Sequence, residues 1–149
     1  MKLVFASDHR GLELKNQLIE ALKNDHEIID VGTYTEESCD YPVYAYKLGE
    51  KIRNKEADFG IAICGSGIGI SIACNKQKGI YCAKVSNKEE ALHTRLDNDT
   101  NVIAFGEKID FNEALDSVNT FINTEFSNLE KHIRRINEFK QIEEGTYNG

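Results

Sequence analysis

The chain has 149 residues, with 18 Lys+Arg against 25 Asp+Glu and a formal net charge of −7. Its 40% apolar and 29% charged content is that of one ordinary globular domain, expected to span 1–149. The acidic balance argues against a nucleic-acid partner, and the lack of any 18-residue apolar run argues against a membrane span.

The first apolar run, Leu3–Ala6, is too short for a signal-peptide core, so a cytoplasmic location is expected. Leu14, Leu18, Ala21 and Leu22 then share one helical face. A second run, Ile28–Val31, precedes Tyr41, Ala45, Leu48 and Ile52, which repeat at helical spacing. Pro42, the only proline, sits in that helix's first turn. A third run, Phe59–Ile63, leads into a glycine-rich loop and a helix start. A fourth, Ile80–Val85, is followed by Asn87-Lys88-Glu89-Glu90, which reads as a capping box. A fifth, Val102–Phe105, precedes Ala114, Leu115, Val118, Phe121 and Ile122 on another helical face. Leu129, Ile133, Ile136 and Phe139 mark an extra helix from about 128 to 143, and residues 143–149 are expected to fray.

Runs that are continuous rather than alternating suit strands buried on both faces. Five β-α steps therefore predict an α/β fold: a three-layer, Rossmann-like sandwich with a five-stranded parallel sheet and an added C-terminal helix. In such sheets ligands bind beyond the carboxyl ends of the strands. Asp8 and His9 follow the first run, and Tyr41 follows the second. Cys64 through Gly69 follow the third. Lys108 follows the fifth. Asp97 and Asn98, at the end of the fourth helix, are expected at the same edge.

The loop Cys64-Gly65-Ser66-Gly67-Ile68-Gly69 is the most informative segment. Its backbone N–H groups can turn inward as a nest at a helix N-terminus, suited to a phosphate or a developing oxyanion. It is neither G-x-G-x-x-G nor a phosphate-binding G-K-[ST] loop. The position about 20 residues on, where a ribose-binding acid would lie, is Lys84-Val85. A thiol in that setting can serve as nucleophile or base; the bland alternative is a buried apolar filler. The four cysteines, at 39, 64, 74 and 82, form no C-x-x-C and have no histidine to complete a metal set, so no metal is expected. On the last helix Arg134 has Glu130 and Glu138 four residues to either side as partners. Lys131 and Arg135 are like charges at i,i+4, an arrangement that suits an anion between them. These residues support a phosphorylated substrate and proton-transfer or acyl chemistry at Cys64, without choosing between them.

Taken together, S-D-H-R-G at 7–11, V-G-T-Y-T-E-E-S-C-D-Y-P at 31–42, I-C-G-S-G-I-G-I-S-I-A-C-N-K at 63–76, N-D-T-N-V-I-A-F-G at 98–106 and K-H-I-R-R-I at 131–136 resemble the type B ribose-5-phosphate isomerase family. That family also includes isomerases of allose- and galactose-6-phosphate. The resemblance covers nearly the whole chain. It implies interconversion of D-ribose 5-phosphate and D-ribulose 5-phosphate, a pentose phosphate pathway step, through an enediolate and without cofactor. It further implies a homodimer or tetramer whose partner chain completes each pocket. Cys64 would be the base. Gly65, Ser66, Gly67, Ile68 and Gly69 would form the oxyanion loop, with Ser66 where Thr is usual. Asp8, His9, Tyr41 and Asn98 would contact the sugar, and Lys108, Lys131 and Arg135 the phosphate. Lys stands at 108 and 131 where Arg is common. Asp97 stands where many members carry the ring-opening His, and could donate a proton near neutrality only if burial or a like charge raised its pKa. His93, one turn earlier, is an alternative; a third is that Asp97 does no catalysis and His9 or spontaneous opening suffices. An isomerase of a hexose 6-phosphate, or a non-catalytic sugar-phosphate binding module, are the competing readings.

Overall fold

A computed structural model describes residues 1–149. Five strands form one parallel sheet in the order β2-β1-β3-β5-β4. They are β1 (Lys2–Ser7), β2 (Glu27–Asp30), β3 (Phe59–Cys64), β4 (Cys82–Lys84) and β5 (Val102–Gly106). Helices α1 (Leu12–Leu22), α2 (Tyr41–Arg53), α3 (Ile68–Asn75), α4 (Lys88–Asn98) and α5 (Phe111–Asn123) follow the strands in turn, and α6 (Glu130–Glu144) is added at the end. No helix is long and apolar enough to cross a membrane.

The three layers follow from the period-two alternation of the central strands. Leu3, Phe5, Ile61, Ile63, Ile103 and Phe105 point to one face and pack against α1, α4 and α5. Val4, Ala6, Ala62, Cys64, Val102 and Ala104 point to the other and pack against α2 and α3. Bulky side chains thus fill one interlayer and small ones the other, bringing α2 and α3 close to the sheet. The alternation places Cys64 on the small-residue face, at the carboxyl end of β3.

The fourth strand is shorter than its apolar run. The Asn75 side chain takes the Cys82 N–H at 2.7 Å, and the Asn101 side chain takes the Tyr81 N–H at 2.9 Å. These amides take N–H groups at the very start of β4. The N-cap half of the capping box forms, Asn87 Oδ1 accepting the Glu90 N–H at 2.9 Å, while the Glu90 carboxylate reaches back to the Ser86 N–H rather than to that of Asn87. The last helix runs to Glu144, because Glu143 accepts from Gly79 N–H and the Tyr81 hydroxyl. Beyond it, Tyr147 donates its hydroxyl to Glu138 at 3.0 Å.

Helix α4 starts at the carboxyl edge of the sheet and runs back, so Asp97 and Asn98 lie at the amino edge, just before β5 begins at Val102. The sequence expectation grouped them with the strand ends. Helix α6 lies at that same amino edge, tied by Ser127 N–H to the Leu96 carbonyl and by Glu143 to residues preceding β4.

A buried cation fastens the loop after β2. Lys15 of α1 is fully buried, and its Nζ donates to Asp30 Oδ1 at 2.6 Å and to the Thr33 carbonyl at 2.7 Å. Asp30 Oδ1 also accepts the Gly32 N–H. Asp30→Ala strands that charge, so we expect the unfolding free energy to fall by about 2–3 kcal/mol. Urea denaturation checks this; an unchanged midpoint would show the pair to be dispensable.

Candidate active site

At the carboxyl edge, Asp8 closes the turn into α1. Its Oδ1 accepts the Arg10 and Gly11 N–H groups, each at 3.0 Å. His9 comes next, and the Cys39 N–H donates to its Nδ1 at 3.2 Å. A backbone N–H can only donate, so Nδ1 is the acceptor, and the neutral ring carries its proton on Nε2. The Cys39 Sγ stands 3.9 Å from the same nitrogen.

The glycine loop leaves β3 above this turn. Cys64 is 3% exposed and belongs to the buried apolar cluster between the sheet and helices α2 and α3, and its Sγ accepts the Gly67 N–H at 3.2 Å. Ser66 Oγ accepts the Ile68 N–H at 3.1 Å. Two of the N–H groups expected to line an anion nest are therefore taken by the loop's own side chains. Gly67 caps α3 in the left-handed region at φ 77°, and a Cβ there would stand 2.7 Å from the Phe105 and Gly106 backbone. Gly69 packs against Tyr41, whose ring carbon would lie 2.5 Å from an added Cβ. Tyr41 is thus a wall of the loop. Over Gly65 lies the Arg10 guanidinium, which donates to both Glu107 carboxylate oxygens at 2.7 and 3.1 Å. That bidentate pair holds the Glu107 carboxyl below its ordinary pKa and raises that of Arg10. Lys108 opens with Gly65 and Ser66 onto a hollow of about 570 Å³, which Asp8, His9 and Cys64 do not line.

A second group gathers at the amino edge. Asp97, Asn98, His132, Arg135, Glu138, Phe139 and Ile142 line a hollow of about 430 Å³. Asp97 Oδ1 is 3.3 Å from His132 Nε2, and Oδ2 is 3.8 Å from His93 Nδ1. The Asp97 side chain is 41% exposed. It has two imidazoles beside it rather than the burial or like charge that a carboxyl proton donor would need. Arg134, Lys131 and Arg135 make no ion pair within the chain. The expected pairing of Arg134 with Glu138 does not form; Glu138 takes the Tyr147 hydroxyl instead.

So the structure brings together Asp8, His9, Tyr41 and Cys64 to Gly69 with Lys108 nearby. It separately brings together Asp97, Asn98 and Arg135, with Lys131 on the same helix. The two groups stand at opposite ends of the sheet, about 15 Å apart along strands of five residues. Sequence reasoning missed Cys39, Glu107 and His132. His132 lies inside a quoted motif, but only the tertiary fold pairs it with Asp97.

A family model described as Ribose/Galactose Isomerase matches residues 3–139. The chain belongs to that family. It is 41% identical over 147 residues to a putative sugar phosphate isomerase of Bacillus subtilis, covering 97% of this chain and 98% of the relative. It is 43% identical over 109 residues to ribose-5-phosphate isomerase B of Escherichia coli, covering 72% and 73%. Among solved structures, ribose-5-phosphate isomerase B of Clostridium thermocellum superposes with a TM-score of 0.94 at 40% identity, over 99% of this chain and 100% of that one. The Mycoplasma genitalium isomerase B, solved with bound ribulose-5-phosphate, gives 0.89 at 33% identity over 96% of each chain. Members of the ribose/galactose isomerase family share this chain's sheet and its added last helix, as the superpositions require.

Gly67→Ala tests the loop. Both the backbone region and the 2.7 Å approach oppose a side chain, so we expect a lower melting temperature together with at least a tenfold loss of turnover. Differential scanning calorimetry and a ketose assay read the two effects; wild-type values in both would remove the loop's assigned rigidity.

Proposed function

We propose that the protein interconverts D-ribose 5-phosphate and D-ribulose 5-phosphate as a cytoplasmic homodimer, with each pocket assembled from two chains. The observation that carries this reading is the separation of the two residue groups. A sugar phosphate is far shorter than the distance between the sheet edges, so no single chain can use both groups on one substrate. A two-fold partner that sets the amino edge of one chain against the carboxyl edge of the other makes two equivalent, complete sites. The exposed apolar residues support such a seam. Ile68 and Ile72 on α3, Tyr46 on α2, and Leu129, Ile133, Phe139 and Ile142 along α6 all face outward in the lone chain.

Within that site the Cys64 thiolate takes the proton from C2 of the open-chain aldose. The electron pair moves to form the C1–C2 double bond, and negative charge gathers on the former aldehyde oxygen. The hydroxyl proton passes from O2 to O1, and as the C2=O2 bond forms the C1–C2 double bond takes the proton back from Cys64 at C1, which gives the ketose. The Gly67 N–H, already aimed at Sγ, would hold a negative sulfur, and the loop N–H groups not taken by its own side chains would stabilise the developing oxyanion. Asp8, His9, Tyr41 and Asn98 contact the sugar. Lys108, Lys131 and Arg135, none of them in an ion pair within the chain, meet the phosphate; only Arg135 can offer it two parallel N–H donors. Proton transfer through an enediolate calls for no redox cofactor. The relatives' names and the bound ribulose-5-phosphate of the Mycoplasma genitalium structure support a pentose over a hexose phosphate.

Two single variants and their mixture test the shared site. Cys64→Ala should abolish isomerisation while leaving phosphate binding nearly intact, and Arg135→Ala should raise KM. Neither variant alone is expected to turn over substrate held well below KM. Unfolded together and refolded, half of the dimers are mixed, and each mixed dimer carries one wild-type site and one doubly impaired site. We expect recovery of about a quarter of wild-type activity. No recovery would place both residues in one chain's site and sink the shared-pocket reading.

A further inference from the structure

The isomerisation acts on an open chain, whereas an aldopentose 5-phosphate rests chiefly as a ring. Opening that ring moves one proton from the anomeric hydroxyl, O1, to the ring oxygen, O4, as the C1–O4 bond breaks and the C1=O1 bond forms. A single group can do this if it first accepts a proton and then returns it a short distance away. It therefore needs a free lone pair near neutrality and a place beside the phosphate anchor.

Most candidates lack one of these. Asp8 spends Oδ1 on two backbone N–H groups. His9 has its Nδ1 lone pair occupied by the Cys39 N–H, so Nε2 can donate but the neutral ring cannot accept a proton. His93 is 65% exposed and does not line the hollow at the amino edge. His132 differs on every point. Its side chain is only 12% exposed, and it lines the hollow beside Asn98 and Arg135. Its Nε2 lies 3.3 Å from Asp97 Oδ1, an ion-pair contact that favours the tautomer with its hydrogen on Nε2. The neutral ring therefore keeps its lone pair on Nδ1, which has no partner in the chain and is not among the buried unpaired atoms.

Spacing completes the case. His132 and Arg135 are three residues apart on α6, so their side chains leave the helix about 5–6 Å from each other. The ring oxygen of an aldose 5-phosphate is only a few bonds from its phosphorus. A phosphate on Arg135 brings O4 and O1 to the imidazole.

We infer that His132, oriented by Asp97, is the acid–base that opens the sugar ring. Nδ1 takes the O1 proton as C1–O4 breaks, and the imidazolium returns that proton to O4. Asp97 holds the tautomer and faces the transient positive charge; it is a positioning residue and not itself the donor. The inference rests on the isomerase reading, and it assigns the two steps to different ends of the fold, Cys64 for the C2 proton and His132 for the ring.

Ribulose 5-phosphate separates these steps. Its 5-oxygen is phosphorylated, so it closes no five-membered ring, and exchange of its C1 hydrogen with deuterated water reports the Cys64 chemistry alone. In His132→Asn we expect turnover of ribose 5-phosphate to fall about 100-fold. Exchange from ribulose 5-phosphate should stay within about twofold of wild type. Asp97→Asn should show the same split with a smaller loss, and it keeps the inference testable if His132→Asn assembles poorly. Because the two side chains meet, Asp97→His combined with His132→Asn moves the imidazole by one contact and should restore at least tenfold of the lost turnover. Wild-type turnover of the aldose in His132→Asn would overturn the assignment. So would a parallel fall in both readouts in a variant with the wild-type oligomeric state. Loss of exchange in Cys64→Ala with none in His132→Asn supports both readings, and an absence of exchange in the wild-type protein would overturn both.

Discussion

A parallel sheet has two chemically different ends, and every helix that follows a strand must carry the chain back across its length. That return path is the constraint on which this molecule turns. Residues placed right after a strand collect at one edge, and residues at the end of the following helix collect at the other. Asp8, Cys64 and Lys108 belong to the first kind, and Asp97 and Asn98 to the second. Helix α6 adds His132 and Arg135 to the second edge because Glu143 and the Ser127 N–H bind it there. The fold divides the polar residues before any chemistry is considered.

At the carboxyl edge rigidity comes from backbone contact. Gly67 is fixed both by its positive φ and by the Phe105–Gly106 peptide against it, and its N–H reaches Cys64 as a result. The small residues Ala6, Ala62 and Ala104 on the same sheet face let α3 sit low enough for that bond. Packing between the sheet and α3 thus helps determine where the thiol stands. Tyr41 and the Arg10–Glu107 pair close the loop from outside. The ion pair is exposed, so it shapes the rim more than it adds stability.

Much of this was legible in the residues. The continuous runs at Leu3–Ala6, Phe59–Ile63 and Val102–Phe105 gave central strands because burial on both faces tolerates no polar alternation. Asn87 and Glu90 marked a helix start because their chemistry is local. The family resemblance was legible as well, since its motifs span nearly the whole chain. The edge at which Asp97 lies was misjudged, because a helix's direction matters as much as its place in the chain. Arg134 was given a partner by i,i+4 spacing alone, and the tyrosine that claims Glu138 comes from beyond the helix end. His9 with Cys39, and Asp97 with His132, are long-range pairs that no periodicity encodes.

The last helix has one further consequence. Of its apolar stripe only Ile136 is buried within the chain, and the rest faces outward. An isolated protomer would carry that greasy strip into water, where its nearest remedy is another copy of itself. In the dimer proposed above, catalytic competence and colloidal behaviour are coupled: dilution that parts the subunits would also bare the adhesive surface. On that reading, a cell keeping this chain active must keep enough of it present to shield it.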